Sequence, residues 1–360
     1  MLNLDTEILV RLPPKAVLRC RAVCPAWRRA TSSRNFLRAH HARQPTLSLL
    51  RGGTSDSVGI IPFDHLTELA TDQLQSIARL GPAFFESKAA CDGLLILSKN
   101  CSRFCICNPA TRQYAPLPRL RGFSLGGMYL HPPTGEYRLL MYKDMMYDEL
   151  EPADEFTYHV YTIGSRQRPR HIGNVEIPDE WSATVSSSVL FHGNLHWYTG
   201  QVLMVFDTTA ESFRQMRSPV VSGAGRLFEI DGILGVYSLT NEYSFNDGAT
   251  IMDIWMVQDY ESGLWALKHR FEFPVAELKA QFGGFCYGSA VVTRREGDEL
   301  VLVRFGDSVL QIDTAGKVVA SIHDKGLCPA GLQLQLKQTL VSHTFFPTLK
   351  GYVVNASPFL

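Results

Sequence analysis

The feature that most constrains the fold of this chain is a motif of short apolar runs and turn residues that recurs along it. Each copy has a Gly followed within three residues by Leu, then an apolar run ending in Asp or Asn. A turn and then a proline or a polar break usually follow. Apolar runs of this size between turn residues predict short β-strands. Four copies are recognisable, and they begin at residues 91, 191, 230 and 297.

The spacing of the copies predicts how the strands are grouped. Gly93 and Gly193 are 100 residues apart, Gly193 and Gly232 are 39 apart, and Gly232 and Gly297 are 65 apart. The last interval contains what reads as an inserted loop at 241–250. A period of roughly 40–50 residues with several strands in each unit is typical of a β-propeller.

A propeller also needs closure, because one unit cannot bury both of its faces alone. We expect strands from both ends of the chain to complete the last unit, with residues 46–61 and 334–354 as the candidates. The sequence therefore predicts a mainly β fold, with a β-propeller-like domain over residues 45–360. A β-sandwich is the alternative.

Residues 1–44 have a different pattern, because their apolar residues fall at helical intervals. Pro13 and Pro14 end a first helix, a second follows from Lys15 to Val23, and Pro25 suits the first turn of a third. The apolar positions of the three predicted helices are Leu4, Ile8, Leu9, Leu12, Val17, Leu18, Ala22, Val23 and Trp27.

Three helices this short bury too little apolar surface to be stable alone. They must either pack on the β domain as an N-terminal cap or present their apolar residues to a partner protein. The sequence pattern alone leaves both options open.

The charge balance limits the classes of partner. Lys plus Arg and Asp plus Glu both count 35, which argues against a general nucleic-acid or anionic-membrane binder. No apolar run reaches the ~20 residues of a membrane helix. We expect an intracellular protein of the cytoplasm, the nucleus or both. The N-terminal region is locally basic, for which a solvated helix face is the expected explanation, at Arg19, Arg21, Arg28, Arg29, Arg34, Arg38 and Arg43.

Candidate chemistry is sparse. Cys91, Cys101, Cys105 and Cys107 lie close in sequence, but their spacing is not that of a usual zinc site, and buried strand cysteines are the expected state. His192 and His196 could supply two metal ligands, but no third is evident. No phosphate-binding or nucleophile motif is found. We predict no catalytic residue, no metal and no cofactor.

The N-terminal residues carry a family resemblance. Residues 7–15, 18–24 and 27–28 resemble the F-box, in the version common in plant F-box proteins; its usual opening Leu-Pro would fall at Met1, so the sequence starts slightly inside the motif. The resemblance implies that residues 1–44 bind a Skp-type adaptor and, through it, a cullin. The adaptor-facing residues would be Leu4, Ile8, Leu9, Leu12, Pro13, Val17, Leu18, Val23 and Trp27.

The rest of the chain resembles the F-box-associated domain of the same plant proteins, which is similar to kelch-like propellers. The matching residues lie at 91–95, 107–112, 132–140, 192–197 and 206–213. The resemblance implies the substrate receptor of an SCF (Skp-cullin-F-box) ubiquitin ligase, with no catalytic residues of its own and a target protein of unknown identity. The alternative is a propeller enzyme or small-ligand binder whose N-terminal helices are a structural cap.

Overall fold

The computed structural model describes residues 4–54, 57–62, 76–81, 85–99, 103–143, 155–176, 188–200, 202–220, 224–240, 250–284, 290–295, 298–323, 326–329, 334–346 and 359. Helices come first, and the described residues that follow are mainly antiparallel β-strands. None of the helices in these ranges has the length and apolar character needed to cross a membrane.

Four helices form the N-terminal region, which we call the helical unit. They are α1 (Leu4–Leu9), α2 (Pro14–Cys20), α3 (Pro25–Ser32) and α4 (Arg34–Arg43). Prolines begin α2 and α3, where the missing N–H costs no hydrogen bond. The sequence predicts three helices, and α4 is the addition. It forms because Ser33 is extended and its Oγ accepts the Phe36 N–H at 3.3 Å, which caps a new helix.

The strands of the described residues form six sheets, five of which have four antiparallel strands in sequence order. Sheet 2 contains β4 (Phe85–Cys91), β5 (Leu94–Lys99), β6 (Arg103–Asn108) and β7 (Gln113–Pro116). Sheet 3 contains β8 (Ser124–His131), β9 (Glu136–Lys143), β10 (Glu155–Thr162) and β11 (Arg170–Glu176). Sheet 4 contains β12 (Val189–Phe191), β13 (Asn194–Tyr198), β14 (Val202–Asp207) and β15 (Ser212–Arg217).

Sheets 5 and 6 complete the four-stranded set. Sheet 5 contains β16 (Ala224–Ile230), β17 (Ile233–Leu239), β18 (Thr250–Asp259) and β19 (Leu264–Phe273). Sheet 6 contains β20 (Val291–Arg295), β21 (Asp298–Phe305), β22 (Ser308–Asp313) and β23 (Val318–His323), and helix α5 (Val275–Phe282) lies between the two sheets in sequence.

Sheet 1 combines strands from both ends of the sequence. Its N-terminal strands are β1 (Thr46–Thr54), β2 (Ser57–Pro62) and β3 (Ala78–Leu80), and its C-terminal strands are β24 (Cys328–Pro329) and β25 (Gln335–Lys337). Both C-terminal strands pair antiparallel with β1, β25 through residues 46–48 and β24 through residues 50–51. The predicted closure by 46–61 and the beginning of 334–354 is therefore confirmed, while 347–354 lies outside the described residues.

The six sheets close a ring. Buried side chains pack sheet 1 on sheet 2, and each following sheet on the next. A further cluster packs sheet 6 back on sheet 1 through Ile61, Val291 and Leu302. β4 lies beside β8, the first strand of sheet 3, and beside β25 of sheet 1. These strands are therefore innermost in the ring. This arrangement is the predicted β-propeller and excludes the β-sandwich.

The recurring sequence motif corresponds to the first hairpin of a sheet. Asp92-Gly93, His192-Gly193 and Asp231-Gly232 are the turns between the first and second strands of sheets 2, 4 and 5, and all six residues have positive φ. Two such residues in a row match the tight turn that twists with the strands. Since neighbouring strands run antiparallel, the first and third turns of each sheet lie at the same end of the propeller, here called the helical end.

Candidate protein-docking surface

The helical unit has a small core of its own. Leu9, Val10, Val17, Phe36 and Leu37 are buried together, and half-buried side chains surround them. The backbone N–H of Trp27 donates to Cys24 Sγ at 3.4 Å and so caps α3. This bond helps to fix the position of the indole. Helices that are marginal alone are thus held in one arrangement by a shared apolar centre.

The propeller supplies one buried residue to this core, and Ala110 of the turn between β6 and β7 packs against it. Residues 338–346, which we call the strap, follow β25 and contribute the buried Leu340 to the centre of the helical unit. The His41 Nδ1–H donates to the carbonyl of Gln338 at 3.1 Å, and Lys337 Nζ donates to the carbonyl of Ala42 at 3.0 Å. The helical unit is therefore attached to the propeller by packing and by hydrogen bonds, in addition to the peptide chain.

On its other side the strap is fastened to sheets 2 and 3. Asn108 Nδ2 donates to the carbonyl of Thr339 at 3.1 Å, and Phe346 is buried between the two sheets. A side chain at Gly93 would meet the carbonyl of Lys337 at 2.3 Å, so only glycine allows this approach of turn and strap. The helical unit therefore lies at the helical end, above sheets 1 and 2.

Asp92 in the first turn of sheet 2 is the polar centre of this joint. Its carboxylate accepts the Tyr137 O–H at 3.2 Å and lies 3.9 Å from His41 Nε2. The His41 imidazole is the main cause that lowers the pKa of Asp92, although burial opposes it. His343 of the strap packs edge-on against Tyr137, with ring centroids 5.2 Å apart.

Three of the nine residues assigned to the adaptor are open to solvent. Ile8 is 57% exposed and Val23 is 67% exposed, and Pro13 between α1 and α2 is exposed as well. Exposed aliphatic side chains of this size are a feature of surfaces that another protein covers. Leu12, Leu18 and Trp27 are half-buried and pack against the helical core.

The remaining three residues have other positions. Leu9 is 3% exposed and Val17 is fully buried, so a partner could reach neither without displacing the side chains above them. Both hold the helices together because their side chains point to the shared core. Leu4 lies in α1, but its side chain is outside the described residues. The assignment of these nine residues to an adaptor stays a prediction, whose accessible members are Ile8, Pro13 and Val23.

The comparisons with known proteins agree on both parts of the chain. The model described as "F-box associated beta propeller domain" matches residues 63–305, and the model described as "F-box domain" matches residues 6–39. This chain belongs to the F-box-associated propeller family. The family is described as a β-propeller and not as a kelch domain. The kelch-like character that the sequence resemblance implied is therefore slightly inaccurate.

Curated relatives agree with that family. Two F-box proteins of Arabidopsis thaliana are 25% and 24% identical, over 72% and 74% of this chain and 76% and 71% of their own. Two structures are also similar: the nidogen/laminin complex (13% identity, TM-score 0.45, 78% of this chain and 94% of that chain) and the Cps50 (Swd1) β-propeller domain of Myceliophteria thermophila (12%, 0.43, 76% and 83%). At these TM-scores the two structures say nothing about function.

The core of the helical unit contains residues that the sequence motifs did not identify as functional. Val10, Phe36 and Leu37 are buried there, and Phe36 and Leu37 were recognisable as an apolar pair after the third predicted helix. Leu340 had no such signal, because nothing in its neighbourhood of the sequence relates it to the helices. Only the fold brings residue 340 to residues 9 and 17.

The F-box-associated propeller holds its own carboxylates in ion pairs between sheets. Glu211 of sheet 4 accepts hydrogen bonds from Tyr129 at 2.8 Å and Arg138 at 2.6 Å, and it also pairs with Arg170. Burial opposes ionisation of Glu211, but these three partners lower its pKa. The cluster fastens sheet 3 to sheet 4.

Glu299 does the same between sheets 5 and 6. Its side chain is nearly inaccessible and lies 2.5 Å from Lys268 Nζ, 2.6 Å from His269 Nε2 and 2.8 Å from Arg294. Burial alone would raise the pKa of Glu299, but the hydrogen bonds from these three residues lower it to about 2. Arg294 also reaches Asp231 in the first turn of sheet 5, at 2.5 Å.

A small cavity of about 140 Å³ lies among the innermost strands. Its polar lining is already engaged: Gln335 donates to the carbonyl of Glu229 at 2.5 Å, Lys337 donates to Ala42, and Asp92 accepts from Tyr137. The cavity therefore gives no specific support to the alternative of an enzyme or small-ligand binder.

The sequence raised several cysteines and two histidines as possible metal ligands. Cys91, Cys105 and Cys107 are buried in strands, where burial raises the pKa of the Cys105 thiol to about 12. Cys101 lies outside the described residues. His196 is buried with Nε2 2.8 Å from the Tyr260 hydroxyl, and burial lowers its pKa to about 4. Within the described part of the chain, no three His, Cys, Asp or Glu side chains are grouped as metal ligands.

Proposed function

We propose that this F-box protein is the substrate-recognition subunit of an SCF ubiquitin ligase. The helical unit binds a Skp-type adaptor and through it a cullin, and the propeller binds a target protein. The chain supplies position and no chemistry, because holding the target near the ubiquitin-loaded enzyme raises the effective concentration of its lysines. F-box family members are typically adaptors rather than enzymes.

The observation that carries the proposal is the exposure of Ile8 in α1 and of Val23 in the turn after α2, while the other large apolar side chains described in the helical unit are buried or half-buried. A structural cap would turn all its large apolar residues inward, as Leu9 and Val17 turn toward the shared core. Two large aliphatic side chains that stay in solvent instead are suited to contact with a second protein. The attachment through the strap supports the same proposal, since it fixes the adaptor side relative to the target side.

Co-purification with a Skp-type adaptor tests the proposal. The full chain is mixed with the purified adaptor, beside a variant with Ile8→Asp and Val23→Asp. We expect a stoichiometric complex with the unchanged chain and loss of the complex with the variant, because both substitutions place a carboxylate in an apolar contact. Neither substitution should unfold the helices, since both positions are exposed.

The matched control is Val319→Asp with Leu264→Asp on the outer strands of sheets 6 and 5, which are 51% and 54% exposed. This variant also replaces two exposed aliphatic residues with Asp, but away from the helices. It should still bind the adaptor. Equal loss in both variants, or an unchanged chain that ignores the adaptor, would contradict the proposal.

The target side is proposed only as a region of the propeller. Three loops that interrupt the sequence repeat are the candidate contact regions: Lys143–Glu155 and Asn241–Asp247, whose residues 144–154 and 241–247 lie outside the described residues, and Arg166–Arg170, which lies at the helical end. For the location in the cell we propose the cytoplasm, the nucleus or both. Imaging of a fluorescent fusion of the full chain would test this, and a membrane-bound signal would contradict it.

A further inference from the structure

The charges of this chain are separated along the sequence. Between Ile8 and Ser55 there are ten Arg or Lys residues and no Asp or Glu. The only carboxylates of the helical unit are Asp5 and Glu7 in α1, against nine cations. Because the whole chain has equal numbers of both charges, the rest of it has the matching excess of carboxylates.

The cations of the helical unit are in solvent. Each side chain is exposed, and within the described residues none of them forms an ion pair; they are Arg11, Lys15, Arg19, Arg28, Arg29, Arg34, Arg38 and Arg43. Part of this charge has a local explanation, since Arg19, Arg29 and Arg43 lie in the last turns of α2, α3 and α4, where cations oppose the helix dipole. That explanation does not cover Arg11, Lys15, Arg28, Arg34 or Arg38.

The cations surround the exposed apolar residues. Arg19 precedes Val23 by one helical turn, and Arg28 Nε donates to the carbonyl of Arg21 at 3.1 Å, so its guanidinium lies near the same end of α2. Arg11 follows Ile8 by three residues, and its N–H donates to the Ile8 carbonyl at 3.1 Å. An apolar centre with a charged rim is the usual composition of a protein–protein interface.

The same surface is poorly suited to nucleic acid. Base recognition on single strands relies on exposed aromatic rings, whereas the exposed apolar residues here are the aliphatic Ile8 and Val23, and the one tryptophan of the unit is half-buried. A protein partner with acidic residues around an apolar patch would satisfy both parts of the surface. Complementary charges at a rim act mainly on the rate of association.

We propose that the basic rim of the helical unit steers an acidic face of the Skp-type adaptor onto Ile8 and Val23. This inference rests on the proposed function and specifies the chemistry of its partner. The rim accelerates encounter, while the apolar centre sets the lifetime of the complex. Salt should therefore slow association and leave dissociation nearly unchanged.

The test measures association and dissociation rates of the full chain with immobilised adaptor, between about 0.05 and 0.5 M salt. The variant carries Arg19→Glu and Arg29→Glu, two exposed residues whose side chains make no described hydrogen bond or ion pair. We expect its association rate at low salt to fall about tenfold and its dissociation rate to change less than about twofold. The variant with Arg19→Lys and Arg29→Lys should keep the original rate.

The control makes the same change of charge elsewhere. Arg119→Glu with Arg121→Glu alters two exposed arginines of the propeller, between β7 and β8, and should leave association within about twofold of the unchanged chain. If both charge-reversal variants slow association equally, the net charge of the chain and not the rim is responsible, and the inference fails. If neither does while the adaptor still binds, the inference fails and the proposed function stands.

Two further outcomes separate the alternatives. An unchanged chain that binds no adaptor at any salt concentration would overturn the proposed function and the inference together. A labelled oligonucleotide is titrated in parallel. If it binds at physiological salt, and Arg19→Glu with Arg29→Glu abolishes that binding without slowing the adaptor, the rim serves nucleic acid and the inference is wrong.

Discussion

Glu299 lies between sheets 5 and 6 with three cationic partners around one carboxylate, whereas Arg29 of α3 extends its guanidinium into solvent. The same contrast holds for apolar residues, since Trp197 is buried between sheets while Val23 is 67% exposed. Glu299 and Trp197 thus lie inside the propeller, whereas Arg29 and Val23 of the helical unit lie in solvent. Stability and partner binding should therefore depend on different residues, and substitutions can test this.

The largest effect is expected from Val17→Asp. Val17 is fully buried in the helical core, and an ionised carboxylate there should cost about 4 kcal/mol in the free energy of unfolding of the helical unit. Amide hydrogen exchange should show loss of protection in α1–α4 with the sheets unchanged. The matched control is Val23→Asp, which should change stability by less than about 0.5 kcal/mol. Equal effects at the two positions would abolish the contrast between core and surface.

Glu299→Gln should have the next largest effect. It leaves Lys268 and Arg294 close together without the carboxylate between them, at a cost of about 2 kcal/mol after allowance for the partial exposure of both cations. Urea unfolding of the full chain measures this cost. Glu272→Gln is the control, because Glu272 is exposed on the same outer strand of sheet 5 as Lys268. A Glu272→Gln effect as large as that of Glu299→Gln would contradict the role of the cluster.

The pKa of Glu299 adds a prediction about acid. Its folded pKa of about 2 is below its ordinary value of 4.5, so its contribution is complete above pH 4.5 and is lost as the pH falls toward 2. The Glu299→Gln variant should therefore lose less stability than the unchanged chain over that range. Parallel slopes of unfolding free energy against pH would show that Glu299 is not responsible.

Leu340→Ala tests the joint between the two regions. Leu340 is buried in the helical core although it belongs to the strap, and its truncation should cost about 2 kcal/mol. Because the strap supports the helices, exchange should accelerate in α1–α4 before it does in sheets 3–5. Val319→Ala, at an exposed position of β23, should change neither. Faster exchange across all sheets would mean that Leu340 supports the propeller instead.

The smallest effect on stability is expected from Ile8→Ser. Ile8 is 57% exposed, so its removal should change the free energy of unfolding by less than about 0.5 kcal/mol. Thermal unfolding of the full chain checks this. A large loss of stability would show that Ile8 packs on its own chain, and it would weaken the case for a partner at that position.

Much of the propeller could be predicted because its signals are local. The turns at Asp92-Gly93 and His192-Gly193 need residues that accept positive φ, and the strands beside them alternate or run apolar. These requirements repeat in each sheet, so the period is visible in the sequence. The closing strands could be named because a ring leaves its two ends together.

Other features depended on contacts between distant residues. Ile8 and Leu9 are adjacent in one apolar stripe, but only packing decides that Leu9 is buried and Ile8 is exposed. The start of α4 depends on the conformation of Ser33, which the sequence pattern does not specify. Glu211 and Arg138 are 73 residues apart, and nothing near either of them identifies the other.

The strap also has a consequence for the order in which the protein matures during synthesis. His41 and Gln338 are 297 positions apart, and Leu340 reaches the helices only after all six sheets have been translated. Helices on a nascent chain that ends before β24 therefore lack their finished core. We expect ribosome-bound chains of that length to capture the adaptor weakly and longer ones to capture it well. Under the proposed function, a ligase would in that way admit only receptors whose propeller has closed.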